Sequence, residues 1–502
     1  MGLLTLKPTL LRYYLLRVLS FSVLILAVRF AFIVTVAGGY CGSDNGGRCF
    51  FPKNDALPGG EDVCQRHTSA GESLTRDLFT TKRYRKTVDY YSSVFQDLVD
   101  EGFLSSDSKA LCVETLTGED VVALREIGVF DSIGISKNPS PPLLFSGEAY
   151  RHPFDNNTFD FEFAGKNHLD GSGRPGDFAS EVCRTLKPGG FFVVHTMAKD
   201  LYSFNSFLDL FSCCRLVRAL EIDGFDSSSI REIVMRKETE FLGRGDGISI
   251  GNNCSVPAYK RVIIGNAEPL IEEEPLKPWI SLKRSIKSIK YLTSMVDISF
   301  KQRYVYVDVG ARNYGSSIGN WFLKQYPKQN KTFEIYAIEA DNVFHEEYKR
   351  KKGVILLPHA AWIRNETLFF EISRDTSNVI GKERRRRGMG RIQPVMPSTS
   401  YMQDLDKIQG FDFANWLKNT VTRNDFVVVK MDAEGAEFYL IPKLIKTGAI
   451  CLIDELFLVC HYNKMQRCCP GVRSSKYEKT YGQCLDLFNS LRKSGVLVHQ
   501  WW

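Results

Sequence analysis

Residues able to do chemistry concentrate in the second half of this chain. In DFVVVKMDAEGAEFYLIPKLI, an apolar run over Phe426–Met431 delivers Asp432 and Glu434, with Glu437 close behind. Carboxylates at the end of such a run can bind a metal, act as general base or hold a substrate hydroxyl. Acids at 434 and 437 also suit a helix start through its dipole. Upstream, RYVYVDVGARNYGSS carries Asp308, Gly310 and Gly315, FEIYAIEADN carries Glu339, and LLPHAAW carries His359. Glycines here permit positive φ and close backbone approach, and a helix start presents free N–H groups. Glu339 follows Gly315 at close to the separation of about 20 residues at which an acid accepts hydrogen bonds from ribose hydroxyls. Glycine turn, helix, strand and acid in this order predict a pocket for an adenosine-containing ligand. His359 either borders that pocket or serves as a base, or is a satisfied structural residue. Gly310 and Gly315 have the gap of a phosphate loop, but Ser316 and Ser317 follow where Lys is required, which argues against a nucleotide triphosphatase.

Strands must aim these groups. Tyr304–Val309, the run ending at Glu339, and Phe426–Met431 read as buried strands alternating with amphipathic helical stretches such as Ser317–Gln325, the pattern of an open α/β sheet with ligands at its carboxyl edge. The same alternation precedes a Pro- and Glu-rich segment, NAEPLIEEEPLKP at 266–278, whose composition makes a packed core implausible there. The expected architecture is therefore α/β, with two tandem Rossmann-like domains at 86–265 and 296–502 separated by a linker at 266–295.

VDVGARNYG, AIEADN and VKMDAEGAE, in this order, resemble the FkbM-type branch of S-adenosylmethionine-dependent methyltransferases, and ICLIDELFLVCHYN resembles that family's late acidic strand. The resemblance covers roughly residues 300–462. It implies class I methyltransferase-like folding and S-adenosylmethionine as cofactor. Asp308, Gly310, Ala311 and Gly315 would line its methionine and ribose end, Glu339 would hold the ribose hydroxyls, and Asp432, then Glu434, would face the reacting centre. Arg312 stands where the family usually has Asn. The first half resembles the superfamily in YRHPFDNNTFDFEFAG and EVCRTLKPGGFFVVHT, whose KPGG reads as a turn. Its cofactor turn, ALCVETLTGEDVVAL, offers Gly118 alone, with Glu114 a substitute acid and Thr115, Leu116 and Thr117 crowding the approach, so this domain is expected to have lost its cofactor.

The first 40 residues differ from the rest. Val18–Ala37 is long enough to cross ~30 Å of hydrocarbon as a helix, and Lys7, Arg12 and Arg17 before it predict a cytoplasmic N-terminus with the remainder lumenal. A cleaved signal peptide ending near Ala37 is the alternative and gives the same compartment. Residues 41–85 read as a stem. Asn156, Asn253, Asn330 and Asn365 head glycosylation triplets, and the 13 Cys include no Cys-x-x-Cys pair, so no metal site is assigned.

Across 502 residues, Lys+Arg 65 against Asp+Glu 58 gives a net charge of +7. The N-terminal cations and the run GKERRRRGMGR at 381–391 account for that excess, so nucleic acid is not an expected partner. The run itself reads as a solvated loop, a cap for an anionic substrate, or a basic cleavage site. The expectation is a single-pass type II membrane protein, resembling plant-type membrane-anchored methyltransferase-like proteins and placed in the Golgi. It would methylate an oxygen of a lumenal glycan or small molecule. A non-catalytic scaffold is the competing class, and a glycosyltransferase would want a DxD-type motif where this chain has Asp-Ala-Glu.

Overall fold

The computed structural model describes residues 81–165, 173–198, 200–238, 255–277, 286–373, 389–393, 405–466 and 471–501. The span at 18–37, nearly all of the stem, Asn253 and the arginines at 384–387 lie outside them. Among the described residues, no helix is long and apolar enough to cross a membrane. They fall within one compact unit, Gly71–Trp502.

Two sheets organise that unit. The first lobe opens with the helix Lys82–Asp100, whose Tyr84, Val88, Tyr91, Phe95 and Leu98 are buried. Its strands are β1 (Ala110–Cys112), β2 (Ser132–Ser136), β3 (Leu144–Ser146), β4 (Phe159–Ala164), β5 (Leu186–Thr196), β6 (Cys214–Asp223) and β7 (Ser229–Lys237). They form one sheet in the order β3-β2-β1-β4-β5-β7-β6. Pairing is parallel up to β5, and β7 runs antiparallel to both β5 and β6. KPGG turns as expected, but inside β5: Gly189 has φ +83°, and the register against β4 passes from Phe159↔Leu186 to Phe161↔Phe191, so Lys187–Gly190 bulge out of the ladder. Gly190 is required there, because a Cβ would sit 2.7 Å from the Asp160 carbonyl.

The second lobe's main sheet contains β8 (Tyr304–Val309), β9 (Glu334–Ile338), β10 (Val354–Leu357), β15 (Phe426–Met431), β16 (Glu455–Val459) and β17 (Leu497–Trp501). Their order is β10-β9-β8-β15-β16-β17, all parallel, with the order reversing between β8 and β15. Every residue of β15 is buried, as a central strand covered on both faces requires. A smaller sheet, β11 (Ala360–Trp362), β14 (Leu405–Asp412), β12 (Glu366–Ser373) and β13 (Met389–Gln393), is inserted between β10 and β15. The helical stretch predicted at 317–325 forms at 318–325, its first turn wound as a π-helix.

The lobes share core. Tyr202 packs within the second lobe's cluster and Phe300 within the first lobe's. Buried Asp454, at the start of β16, accepts hydrogen bonds from Tyr202 Oη (3.2 Å), Lys260 Nζ (3.0 Å) and the Val427 N–H (3.0 Å). Burial opposes its charge, but Lys260 and Lys301 win and hold its carboxyl below the ordinary value. The Pro- and Glu-rich segment is not a free tether either. Leu270 packs on the second lobe's core, and the Glu268 carboxylate meets His499 Nδ1 at 2.6 Å. His499 Nε2 meets Glu455 at 2.9 Å, so one imidazole on β17 pins that segment to the sheet.

Candidate active site

Where the strand order reverses, the carboxyl ends of β8, β9 and β15 open onto a cavity of about 270 Å³. This is where open α/β sheets bind ligands. Of the residues singled out in the sequence, Gly310, Glu339, His359, Asp432 and Glu434 line it together, whereas Asp308, Ala311 and Gly315 are not among its lining residues.

Asp308 is fully buried beneath the turn. Its carboxylate is held by Ser317 Oγ, Tyr306 Oη (3.3 Å) and Lys430 Nζ (3.2 Å). Lys430 is its partner in the β8–β15 register, which explains a lysine inside an otherwise apolar central strand. Burial opposes the charge on that lysine, but Asp308 and Asp432 outweigh it and raise its pKa above the ordinary value. Ala311 is core, its carbonyl accepting from Ser316 Oγ at 2.9 Å and Tyr348 Oη at 3.3 Å. Gly315 has neither positive φ nor a tight neighbour, since a Cβ there makes contacts no closer than 3.5 Å. Gly310 differs on both counts: its φ is +75°, and a Cβ would fall 2.0 Å from the Asp432 carbonyl oxygen. The first glycine is thus demanded by the close pass of the 432 loop over the turn.

Glu339 emerges from β9 with both oxygens engaged. Oε2 accepts from the Arg312 N–H at 2.6 Å and Oε1 from the Asp341 N–H at 2.7 Å. Desolvation still dominates and pushes this carboxyl up to about 7, partly offset by those two N–H groups. Arg312 adopts φ +53°, a left-handed conformation that asparagine tolerates better than arginine. His359 is exposed on the loop after β10, with the Phe411 ring centroid 6.5 Å from its own.

On the β15 side the loop passes Asp432, Glu434 (φ +46°) and Gly435 (φ +102°) into the helix Glu437–Lys446. Glu434 accepts from Lys476 Nζ at 2.8 Å and from Tyr477 Oη. Desolvation works against its charge, but His461 and these donors prevail and lower its pKa. Glu437 starts the helix and also braces the loop, accepting from the Gly435 N–H at 2.8 Å and from the His461 backbone N–H at 2.6 Å.

His461 and Lys464, beyond β16, complete that wall of the cavity and were not anticipated from sequence. His461 has Nδ1 3.1 Å from Glu437 and Nε2 3.4 Å from Asp432. Burial opposes its charge, but Glu437, Asp432 and Glu434 outweigh it and raise its pKa. The available signal was the CHYN that ends the late strand. Its acids Asp454 and Glu455 lie at the opposite end of β16 and serve packing.

The strand order defines an open α/β lobe with a cavity at its switch point. A family model described as a domain of unknown function (DUF7870) matches residues 264–368 and 392–502, a reach that takes in the segment bearing Glu268. No curated protein matches the chain. Solved structures it resembles include a SAM-dependent methyltransferase from Methanosarcina mazei (16% identity, TM-score 0.24, covering 28% of this chain and 98% of that chain). Another is a putative methyltransferase from Bacillus halodurans (14%, 0.24, 29% and 100%), and a third is the [4+2]-cyclase SpnF (12%, 0.25, 30% and 81%). The functional reading accordingly rests on the cavity. FkbM-type membership has no counterpart among these matches and belongs to the proposal below.

Proposed function

We propose that the second lobe is an S-adenosylmethionine-dependent O-methyltransferase of FkbM type, carried on a type II anchor into the Golgi lumen and acting there on a glycan or small-molecule hydroxyl. One observation carries the reading: Gly310, Glu339 and Asp432, from three strands, meet in one cavity at the switch point. The donor set fits the cofactor. Glu339 retains acceptor capacity for two ribose hydroxyls, apolar Ile338, Phe344 and Ala361 flank the place for the adenine, and the glycine turn admits the methionine end. The cofactor supplies an already activated sulfonium methyl. This chain's part is to orient the acceptor oxygen in line with that methyl and to receive its proton at the Asp432 carboxylate.

Two further observations support the lumenal placement. Cys183–Cys213 and Cys460–Cys484 are disulfide-bonded, a pairing typical of oxidising compartments. Asn156, Asn330 and Asn365 are all exposed, as glycan acceptors must be.

Calorimetry with S-adenosylmethionine on the whole chain tests the reading. One site per chain is expected, weakened in Glu339→Gln. Absence of binding, or binding indifferent to Glu339, would refute it.

A further inference from the structure

The wall of the cavity formed by the 432 loop and His461 has the composition of a cation site. Asp432, Glu434 and His461 each bring one ligand-type atom within 4.8 Å of the others. The imidazole is oriented from behind, since its Nδ1 lies 3.1 Å from buried Glu437, a carboxylate also fixed by two backbone N–H groups. With Nδ1 committed to Glu437, Nε2 faces Asp432 (3.4 Å) and Glu434 (3.9 Å). A carboxylate behind an imidazole in this way sets tautomer and ring angle in metal-binding histidines. Among the described residues, Lys476 and Tyr477 both donate to Oε2 of Glu434, and the Asp432 carboxylate accepts no hydrogen bond. Cys460, beside His461, is tied to Cys484, so no thiolate competes there.

We propose that Asp432, Glu434 and His461 bind one divalent cation, leaving its remaining positions to water and to an oxygen of the methyl acceptor. Two carboxylates and one imidazole, with no thiolate, suit a first-row ion such as Mn²⁺ better than a thiophilic one. Lys430, 4.0 Å from Asp432, and Lys476 on Glu434 reduce the net negative charge and so weaken the hold on a cation. The cation narrows the acceptor to hydroxyl compounds able to ligate it, and in that respect alone the inference rests on the methyl-transfer reading. In the transfer, the acceptor oxygen bonds to the methyl carbon as the carbon–sulfur bond breaks. Sulfur departs with the electron pair as a neutral thioether, and the hydroxyl proton, acidified by the cation, passes to the Asp432 carboxylate oxygen turned away from the cation and from there to solvent.

The probe is Mn²⁺ alone, titrated into the whole chelator-treated chain by calorimetry and followed by pulsed electron paramagnetic resonance. The expected result is one ion per chain with nitrogen modulation from one imidazole. Asp432→Asn should weaken binding at least tenfold, and His461→Gln should remove the modulation. Unfolding curves would confirm that both variants retain the fold, and Asp432, being partly exposed, is the safer of the two substitutions. No Mn²⁺ binding, or binding unchanged in both folded variants, overturns the cation site. S-adenosylmethionine titrated separately keeps the two readings apart. Cofactor binding without Mn²⁺ binding removes the cation site alone, and Mn²⁺ binding without cofactor binding removes methyl transfer alone.

Discussion

Both lobes begin from the same plan, a parallel sheet wound outward from its first strand, yet they treat the carboxyl edge of that strand differently. In the second lobe β8 ends at Gly310, and β9 hands over to a buried Glu339 at a cavity. In the first lobe β1 is followed by Glu114 at φ +55° and by Thr115, whose buried hydroxyl donates to Asp120 Oδ1 at 2.6 Å and accepts from the Gly118 N–H at 3.1 Å. Thr115 presses on β2, since a Cβ on Gly134 would fall 2.5 Å from its Cγ2. β2 then runs out into Ser136 and Lys137, with no carboxylate where β9 has Glu339. One threonine and one missing acid give the first lobe packing where the second lobe has a cavity. The first lobe is also a partner, because Tyr202 and Lys260, on the helices Leu201–Leu210 and Ala258–Gly265, reach across to Asp454.

The sharpest way to break this comparison is to substitute the glycine of each turn. Gly310→Ala meets a carbonyl oxygen at 2.0 Å in a left-handed conformation, so the turn or the 432 loop must move. A loss above ~3 kcal/mol is expected, together with loss of cofactor binding. Gly118→Ala shares the positive φ but meets only Leu144 Cδ2 at 3.3 Å, and should cost about 1–2 kcal/mol. Denaturant midpoints and calorimetry on both variants decide it. Equal costs, or cofactor binding lost through Gly118, would mean that the lobes have been assigned the wrong roles.

Next in size is the clamp joining the Pro- and Glu-rich segment to β17. Burial opposes a charged His499, but the hydrogen bonds it donates to Glu268 and Glu455 prevail and raise its pKa from 6.5 to about 9. A raised value stabilises the fold fully below pH 6.5 and is lost as pH climbs through about 9, a change of up to about 3 kcal/mol. Urea unfolding between pH 6.5 and 9.5 should show it, and His499→Gln should flatten it. A slope unchanged in the variant would detach that segment from the second lobe.

Much of the site was legible in the sequence because it follows strand ends. β8 and β15 begin and end where the apolar runs at 304–309 and 426–431 do, so the ligand edge followed. The apportioning of roles did not. Asp308 and Lys430 carry charges, but their mutual neutralisation across a register is a tertiary fact. His461 becomes part of the site only because Glu437, 24 residues earlier, reaches it. The segment at 266–278 looked unpackable by composition, and its burial of Glu268 depends on a histidine at the far end of the chain.

Glu339 gives a test with a sign. Its carboxyl, pushed up to about 7 by burial, is protonated at lower pH, and ribose hydroxyls donate best to the ionised form. Cofactor binding should release a proton, with affinity rising up to tenfold per pH unit below about 7 and flat above. Glu339→Gln should lose about 10- to 100-fold in affinity and all of that slope. Glu114→Gln in the first lobe should change neither. A pH slope surviving in Glu339→Gln would place the titrating group elsewhere.

The smallest expected effect concerns Arg312, which occupies φ +53° while its N–H is committed to Glu339 at 2.6 Å. Asparagine adopts this conformation at lower cost, so Arg312→Asn should stabilise the second lobe by about 0.5–1 kcal/mol while keeping the N–H bond. The guanidinium, however, belongs to a cavity-lining residue. If affinity for S-adenosylmethionine is unchanged in the stabilised variant, the arginine is a backbone compromise. If affinity falls although stability rises, Arg312 touches the ligand, and the arginine is a feature of recognition by this lobe for which the first lobe's turn, closed by Thr115, has no counterpart.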